Sequence, residues 1–452
     1  MPMRSRFRGR AIGSTLVGIV AACSFNLPKG SPGGGDDQPT PDAGPCQEIG
    51  SACAGNTLRV CGAKDVQPTD IACAWGCLDG PPAHCGELTP SGGAVMPVDL
   101  RPNGDLLDTT LDGSGTITID TDDGSIGVSR DGSEVRAPGV GVIQGIDFIE
   151  RGAIAVFRFR NLAIATTVRI VGARAAALVA TDTITVTRRL DVACNDQNVS
   201  GPGGFAGGDR GSNGGGTGGG ARGAGSKGDC SGGAGGSFGG TGGQGGSSSG
   251  QNNTQGGPIY GDALITLLVG GGGGGGGGGS SSDRGSGGGG GGAVQLAANQ
   301  RIVFADSGSI DAGGCGGGRG SDESCGGGGG AGGAILLEAP LIELSDSTTL
   351  AANGGGGGCG SGTNPGTSGL LSQSRAPGGT GDADGGSGGA AGAGNMTGTA
   401  GADDSKNGAG GGGGVGWIRL DTRTGAATIG PGVVLSPALG DATSSQGAAV
   451  VH

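Results

Sequence analysis

Histidine and aromatic residues are nearly missing from this chain, and their scarcity narrows the possible functions. The 452 residues include only His84 and His452, together with two Trp, one Tyr and eight Phe. A nucleophile–histidine–acid triad therefore has almost no histidine to draw on. Sites that stack sugars need aromatic rings, so a polysaccharide-acting enzyme is disfavoured as well. The sequence predicts a non-enzymatic protein without a cofactor.

Other features that define protein classes are missing too. Net charge is −12, with the acidic residues spread along the chain, which argues against a nucleic-acid partner. The 119 glycines follow no strict Gly-X-Y period, which argues against a collagen triple helix. The phosphate-binding pattern Gly-x-x-x-x-Gly-Lys-Ser/Thr does not occur. Glycine tracts match Gly-x-Gly-x-x-Gly by composition alone, so that pattern says nothing about nucleotide binding.

Residues 1–22 are predicted to be a signal peptide. Several arginines precede an apolar stretch at 11–22, which is too short to span a bilayer as a helix. The following Val20-Ala-Ala-Cys23 resembles a bacterial lipobox, which implies cleavage before Cys23 and acylation of its thiol. Ser24, by the sorting pattern of that family, implies a lipid-anchored protein of the outer membrane. An ordinary secretory signal is the alternative.

A tether and a cysteine-rich module are predicted next. Residues 23–45 are rich in Pro, Gly, Asp and Ser and read as a flexible tether, followed by the module at 46–86. The module's cysteines are Cys46, Cys53, Cys61, Cys73, Cys77 and Cys85. Three disulfides are expected in an exported segment this short, with every connectivity left open, and a zinc site using Cys73, Cys77 and His84 is the alternative. The module resembles small cysteine-rich modules of exported lipoproteins from Gram-negative soil bacteria, a resemblance that implies no chemistry.

Short apolar segments recur in triplets and predict the main fold. One triplet spans 293–312 and a second spans 334–352, with a matching copy at 177–192 and a looser copy at 417–435. Alternating residues, as in Ile184-Thr-Val-Thr187, indicate half-buried strands. Because one triplet cannot bury its side chains alone, the copies are expected to stack with parallel pairing. The sequence predicts an all-β fold, a parallel β-helix-like solenoid with long glycine-rich loops, preceded by the disulfide-rich module.

Domain boundaries follow from the glycine content. Residues 92–195 are predicted to form strand-rich first coils, 196–440 glycine-rich solenoid repeats, and 441–452 a C-terminal tail. A β-sandwich is the alternative, but it needs hairpin turns, and Asn-Gly or Asp-Gly dipeptides rarely separate these strands.

Four glycine tracts allow two interpretations. They span 201–259, 270–292, 313–333 and 354–416. Ordering a backbone residue costs ~1–2 kcal/mol, more for glycine, and these tracts have almost no side chains to bury in return. They are either disordered loops or extended, polyproline-II-like segments packed backbone against backbone. Bare runs such as 270–279 favour packing, because a single Cβ would interrupt it.

Five cysteines lie within or beside the glycine tracts. They are Cys194, Cys230, Cys315, Cys325 and Cys359. We expect Cys194 to pair with Cys230, and Cys315 to pair with Cys325 or Cys359. Their odd number leaves one thiol that is free or pairs between chains.

Acidic residues offer the remaining candidate chemistry. Asp120, Asp122 and Asp123 are the candidate paired carboxylates, although Asp-Asp-Gly is first a turn sequence. Calcium is an alternative ligand, and its candidate residues are Asp306, Asp311, Asp346, Asp382 and Asp384. The calcium-binding nonapeptide repeat never appears intact, so no metal site is predicted. Arg158 and Arg160 alternate with phenylalanines and are expected on a solvated strand face.

Residues 100–440 resemble the glycine-rich, PE-PGRS-like exported proteins of Gram-negative soil bacteria. The residues that carry the resemblance are Ile119-Asp-Thr-Asp-Asp-Gly124, Ala155-Val-Phe-Arg-Phe-Arg160 and the unit at 332–339. The resemblance implies surface location and repeat architecture, and it carries no catalytic residues. The expected function is structural or adhesive, at the cell envelope, with extracellular matrix or glycan as a possible partner besides the membrane. A glycan- or calcium-binding module is the alternative.

Overall fold

The computed structural model describes residues 46, 48–128, 134–280 and 282–452. Their regular secondary structure is almost entirely β-strand, which confirms the predicted all-β class. The predicted signal peptide, nearly all of the tether and the acylation candidate Cys23 lie outside the described residues. Within the described ranges, we find no helix that is long and apolar enough to cross a membrane.

The cysteine-rich module consists of two small antiparallel sheets. Its strands are β1 (Gly50–Ala54), β2 (Thr57–Cys61), β3 (Thr69–Ala72), β4 (Cys77–Leu78) and β5 (His84–Cys85). Strands β1–β3 form one sheet and β4–β5 the other. Three disulfides join Cys46 to Cys61, Cys53 to Cys77 and Cys73 to Cys85. All six sulfurs are thereby used, so none is left to bind zinc, and the cross-links compensate for a small core.

The described residues after the module form three large sheets and one small hairpin. After a 3-10 turn at Pro97–Leu100, the strands are β6 (Thr109–Leu111), β7 (Ile117–Asp120), β8 (Ile126–Val128), β9 (Glu134–Arg136), β10 (Gly141–Ile143), β11 (Ile146–Arg151), β12 (Ile154–Phe159), β13 (Leu162–Ile164), β14 (Val168–Val171), β15 (Ala175–Ala180), β16 (Thr183–Val186), β17 (Arg189–Asp191), β18 (Gly225–Ser226), β19 (Asp229–Cys230), β20 (Ala293–Ala298), β21 (Arg301–Phe304), β22 (Ser309–Asp311), β23 (Ala334–Glu338), β24 (Leu341–Leu344), β25 (Thr349–Ala351), β26 (Trp417–Thr422), β27 (Thr428–Ile429), β28 (Val434–Ser436) and β29 (Ser444–Ala448). Strands β18 and β19 form the small hairpin.

Each predicted triplet gives one strand to each large sheet. Sheet I has the order β10-β11-β12-β15-β20-β23-β26-β29, sheet II β27-β24-β21-β16-β13-β6, and sheet III β28-β25-β22-β17-β14-β7-β8-β9. Triplets pair in parallel and in register, so that Ile184 lies beside Ile302, which lies beside Ile342. Antiparallel pairs of the large sheets occur at β7–β8–β9 and β10–β11–β12, at one end of sheets III and I. The pairing explains why the triplets share one pattern, because equivalent residues face equivalent neighbours.

The main core lies between the three sheets. On sheet I its ladder runs through Phe157, Leu178, Leu296, Leu337 and Leu420, which are paired strand to strand and have no exposed surface. Burying a leucine or phenylalanine side chain fully stabilises the fold by roughly 1.5–3 kcal/mol. Stacking therefore supplies the burial that one triplet lacks.

The other face of sheet I is covered by a segment that we call the strap (residues 87–100). At one end the strap pairs with the C-terminus, since Thr89 N–H donates to the carbonyl of Val450 at 2.8 Å. Along its length Leu88, Val95 and Leu100 pack in a second apolar cluster with residues of sheet I, such as Val156 and Leu336. Sheet I is thus buried on both faces.

The strap overturns one expectation about the strand face of β12. Arg158 is not solvated, because its side chain is only 12% exposed and lies 2.9 Å from a carboxylate oxygen of Asp147. It also donates to the backbone carbonyl of Asp99 in the strap at 3.0 Å. Arg160 does reach solvent, with a side chain 51% exposed. A charged strand face became an interface because a distant segment folds over it.

The glycine tracts are ordered and packed. We call their extended segments the glycine layer (residues 201–260, 270–280, 282–292, 312–333 and 352–416). Segment 270–279 is buried along its whole length. Its N–H groups donate in turn to segments 285–291, 231–237 and 212–215, and its carbonyls accept from 205–208, 325–331 and 220–223. Hydrogen bonds to any one of these neighbouring segments recur at every third residue, which is the period of a polyproline-II helix. Of the two interpretations of the tracts, the structure shows the packed one.

Glycine is required here because backbones touch directly. A Cβ on Gly274 would overlap the carbonyl oxygen of Gly328, and one on Gly287 would overlap that of Gly274. The obstructing atoms belong to the backbone, so no rotamer change relieves either clash. Side chains appear where a segment meets solvent, as at Thr241 and Gln244.

Candidate functional site on the turns of the glycine layer

Asp120, Asp122 and Asp123 lie on the turn between β7 and β8. The Asp120 Oδ1 atom accepts from the N–H of Asp122 at 2.8 Å, and Asp123 Oδ1 accepts from the N–H of Ser125 at 2.9 Å. Asp122 also lies 3.5 Å from a guanidinium nitrogen of Arg174. These contacts hold a turn, so the structure does not bring these carboxylates together across a groove.

The two histidines are each hydrogen-bonded within the fold. His84 Nδ1 lies 3.1 Å from the carbonyl of Pro82, and His452 Nδ1 lies 2.9 Å from Thr89 Oγ1. No group of three His, Cys, Asp or Glu side chains within the described residues is placed to hold a metal ion.

The aspartates considered for calcium are divided among turns and ion pairs. Asp306 and Asp346 occupy matching turns after β21 and β24. Asp311 pairs with Arg189 at 2.7 Å. The Asp382 Oδ1 atom accepts from the N–H of Asp384 at 3.0 Å, and Asp384 in turn pairs with Lys406. The structure gathers at most two of them in one place.

Two disulfides fasten the glycine layer, and their pairing corrects the expected one. Cys194 pairs with Cys315 instead of Cys230, and Cys230 pairs with Cys325. The expected pairs assumed that cysteines close in sequence are close in space. In the layer, however, segment 230–238 lies beside 325–333, as the bond from Gly233 N–H to the carbonyl of Gly326 shows. The remaining thiol, Cys359, is buried, and this burial raises its pKa.

Glu338 is buried where the strap crosses sheet I. Its carboxylate accepts from the N–H of Ser91 at 2.8 Å and from Gln295 Nε2 at 2.5 Å. Burial raises the pKa of Glu338 to about 7, and these two donors oppose the shift. The Gln295 Oε1 atom has no partner within the described structure. This carboxyl group therefore ties the stability of the strap to pH.

A ladder of charges lies on sheet III. Arg169 pairs with Asp191 at 2.7 Å, and Arg189 pairs with Asp311 at 2.7 Å and with Asp191 at 3.1 Å. Burial raises the pKa of Asp311 to about 6, against the opposing effect of Arg189. Arg169, Arg189 and Asp311 line a cavity of about 380 Å³ between sheet III and the glycine layer. Its charges are largely neutralised within the ladder.

The turns at the far end of the glycine layer form a connected polar surface, which we call the turn surface. It comprises residues 209–213, 225–229, 247–253, 282–284, 319–324, 361–365, 382–385 and 403–407. Hydrogen bonds link the turns, for example from Ser321 N–H to the carbonyl of Asp283 and from Asn407 Nδ2 to that of Asp384. The opposite ends of many segments continue into strands of sheets I and III. The fold thus separates a buried attachment end from an exposed polar end.

One cavity of about 220 Å³ opens on this surface, and we call it the arginine cavity. Its lining includes Arg210, Arg284, Arg319, Asp283 and Gln197. Gln197 and Pro365 also line the 380 Å³ cavity, so the two cavities adjoin. Sequence reasoning missed these arginines because each interrupts a different tract. Their one shared signal is an Asp-Arg pair at two of the interruptions, 209–210 and 283–284.

No known protein family, characterised protein or solved structure matches this chain.

Proposed function

We propose that the three sheets are the faces of a parallel β-helix. The support is that each triplet gives one strand to each sheet and that successive triplets pair in parallel and in register. The glycine layer leaves this β-helix where sheet III strands end and sheet I strands begin. An electron cryo-microscopy or crystal structure tests the arrangement, and sheets packed as two opposing layers would refute it.

We further propose a non-enzymatic surface lipoprotein with a structural or adhesive role at the cell envelope. The observation that carries it is the ordered glycine layer, which holds polar turns at a fixed distance from the strands. Ordering a disordered loop would cost conformational entropy on each contact with a partner, and a prebuilt layer avoids that cost. The predicted lipid anchor at Cys23 would place this rigid display at the outer membrane.

Amide hydrogen exchange tests the rigid display. We expect slow exchange at 271–278 and 410–414 without calcium, because these amides are bonded within the layer. Immediate exchange there would remove the basis of the display role. Protection that appeared only with calcium would favour metal-dependent assembly instead.

Labelling of intact cells tests the proposed location of the protein at the cell surface. Residues such as Lys227 and Lys406 on the turn surface should react with a membrane-impermeant amine reagent. A Cys23→Ala variant should lose labelling with radioactive palmitate and leave the membrane fraction. An unlabelled turn surface on intact cells, with the lipid still attached, would place the protein on the inner side of the envelope.

A further inference from the structure

The arginine cavity concentrates positive charge in a chain of net charge −12. Arg210, Arg284 and Arg319 line it together with one carboxylate, that of Asp283. None of these guanidinium groups forms an ion pair with a carboxylate of the described chain. The carboxylate of Asp209 is engaged by the N–H of Arg210 at 2.8 Å. Like charges held close together are stabilised by a counter-anion.

Backbone contacts fix the three side chains without using up their donors. Arg210 donates to the carbonyl of Ser282 at 2.8 Å, Arg284 Nε to that of Gly279 at 2.7 Å, and Arg319 to that of Gly362 at 3.0 Å. A guanidinium group carries five N–H donors. Each side chain therefore keeps further donors, and the backbone that anchors it belongs to the packed layer. The cavity is preorganised for an acceptor-rich group.

We propose that the arginine cavity binds the phosphate or sulfate ester of a glycan. Planar guanidinium forks match the paired oxygens of a tetrahedral oxyanion, and Ser282, Ser286 and Ser321 line the same cavity. Asp283 supplies an acceptor for a sugar hydroxyl. The adjoining 380 Å³ cavity, with its neutralised charges and the amides of Asn195 and Gln197, accommodates the uncharged part of the chain.

This proposal deepens the adhesive role proposed above by naming its ligand. Anion binding by the purified chain does not depend on cellular location, so the two proposals fail separately. A negative binding result leaves the exchange and labelling outcomes untouched. Misplacement in the cell likewise leaves the binding result untouched.

Calorimetric titration of the full chain in detergent tests the site. The probes are inorganic phosphate, inorganic sulfate, dextran and dextran sulfate, at low and high salt. Arg210→Gln and Arg319→Gln remove one guanidinium group each. Arg301→Gln is the matched control, because Arg301 is exposed on β21, away from the cavity. We expect each cavity variant to weaken anion binding about tenfold or more, with the control unchanged.

The choice of probes distinguishes a glycan ester from a free inorganic anion. Dextran sulfate that binds more tightly than inorganic sulfate, with dextran itself inert, supports the glycan ester. Equal affinity for the polymer and the free ion identifies the ligand as the free ion and overturns the glycan assignment. Absence of saturable binding by every probe below about 10 mM overturns the site itself. Equal weakening by Arg301→Gln also overturns it, since generic charge would then explain the binding.

Discussion

The strand triplets and the glycine layer exclude water in different ways. In the triplets, apolar side chains such as Leu296 and Leu337 fill the space between sheets, and the backbone pairs only sideways. In the layer, segment 270–279 has no side chains, and its backbone bonds to neighbours on every side. One region gains stability by burying apolar surface, whereas the other depends on many hydrogen bonds, each with a net contribution of roughly 0.5–1.5 kcal/mol.

The two regions therefore tolerate different substitutions. A side-chain core responds to lost volume, because a cavity forfeits contacts and apolar burial. A backbone-packed layer responds to added volume, because one methyl group separates two chains.

Leu337→Ala should cost ~4 kcal/mol of unfolding free energy, since it removes a fully buried side chain from the ladder of sheet I. Urea unfolding measures the loss. Leu341→Ala is the matched control, because Leu341 is 40% exposed on the next strand, and it should cost under ~1 kcal/mol. Similar costs for both variants would contradict the assignment of the core.

Gly274→Ala should cost ~3 kcal/mol or more, because the new Cβ overlaps the carbonyl of Gly328. Hydrogen exchange should accelerate in the layer before it does so in sheets I–III. Gly104→Ala is the control, since a Cβ there meets nothing within 4 Å. A tolerated Gly274→Ala would mean that the layer is looser than its hydrogen bonds indicate.

The double variant Cys230→Ser/Cys325→Ser should lose ~2 kcal/mol, because that disulfide closes 95 residues of chain. Faster exchange is expected in segments 230–238 and 325–333, with strands β20–β25 unchanged. Cys359→Ser is the control, as this cysteine forms no disulfide in the described structure. Uniform loosening of both regions would show that the layer and the strands unfold together.

Glu338→Gln should change the pH dependence of stability by at most ~3 kcal/mol. In the folded protein the pKa of Glu338 is raised to about 7, above its unfolded value of about 4.3. Its stabilising contribution is therefore full below pH ~4.3 and is lost as pH rises through ~7. The glutamine variant should lack this decline in thermal unfolding between pH 5 and 8. Glu343→Gln, on the outward face of β24, should retain it.

The sequence predicted the strand triplets well where glycine runs marked their ends, as at 293–312 and 334–352. It missed that β12, β13 and β14 form a further triplet, since no glycine run separates Phe159 from the next unit. The exposure of Arg158 was predicted wrongly because the strap that covers it lies far away in sequence. Periodicity reports local pattern, and it does not report which distant segment returns to cover a face.

Within the glycine layer, the sequence predicted the composition of each segment but not which segments lie beside one another. The cysteine pairing was predicted wrongly because position in the layer follows from stacking and not from separation along the chain. The arginine cavity could not be predicted for the same reason, because Arg210, Arg284 and Arg319 interrupt three different glycine tracts. A tract made almost entirely of glycine offers no side-chain pattern from which its register can be deduced.

The connectivity of segment 270–279 also sets the timing of its assembly. Its partners extend from residue 203 to residue 331, so its surroundings are complete only when the chain through residue 331 is available. Contacts this distant in sequence form slowly, because the entropy cost of closing the loop precedes the gain of any hydrogen bond. The strands of 154–191 pair with one another over short stretches of chain, so they can assemble first and serve as the template. We therefore expect the polar end of the protein to form last.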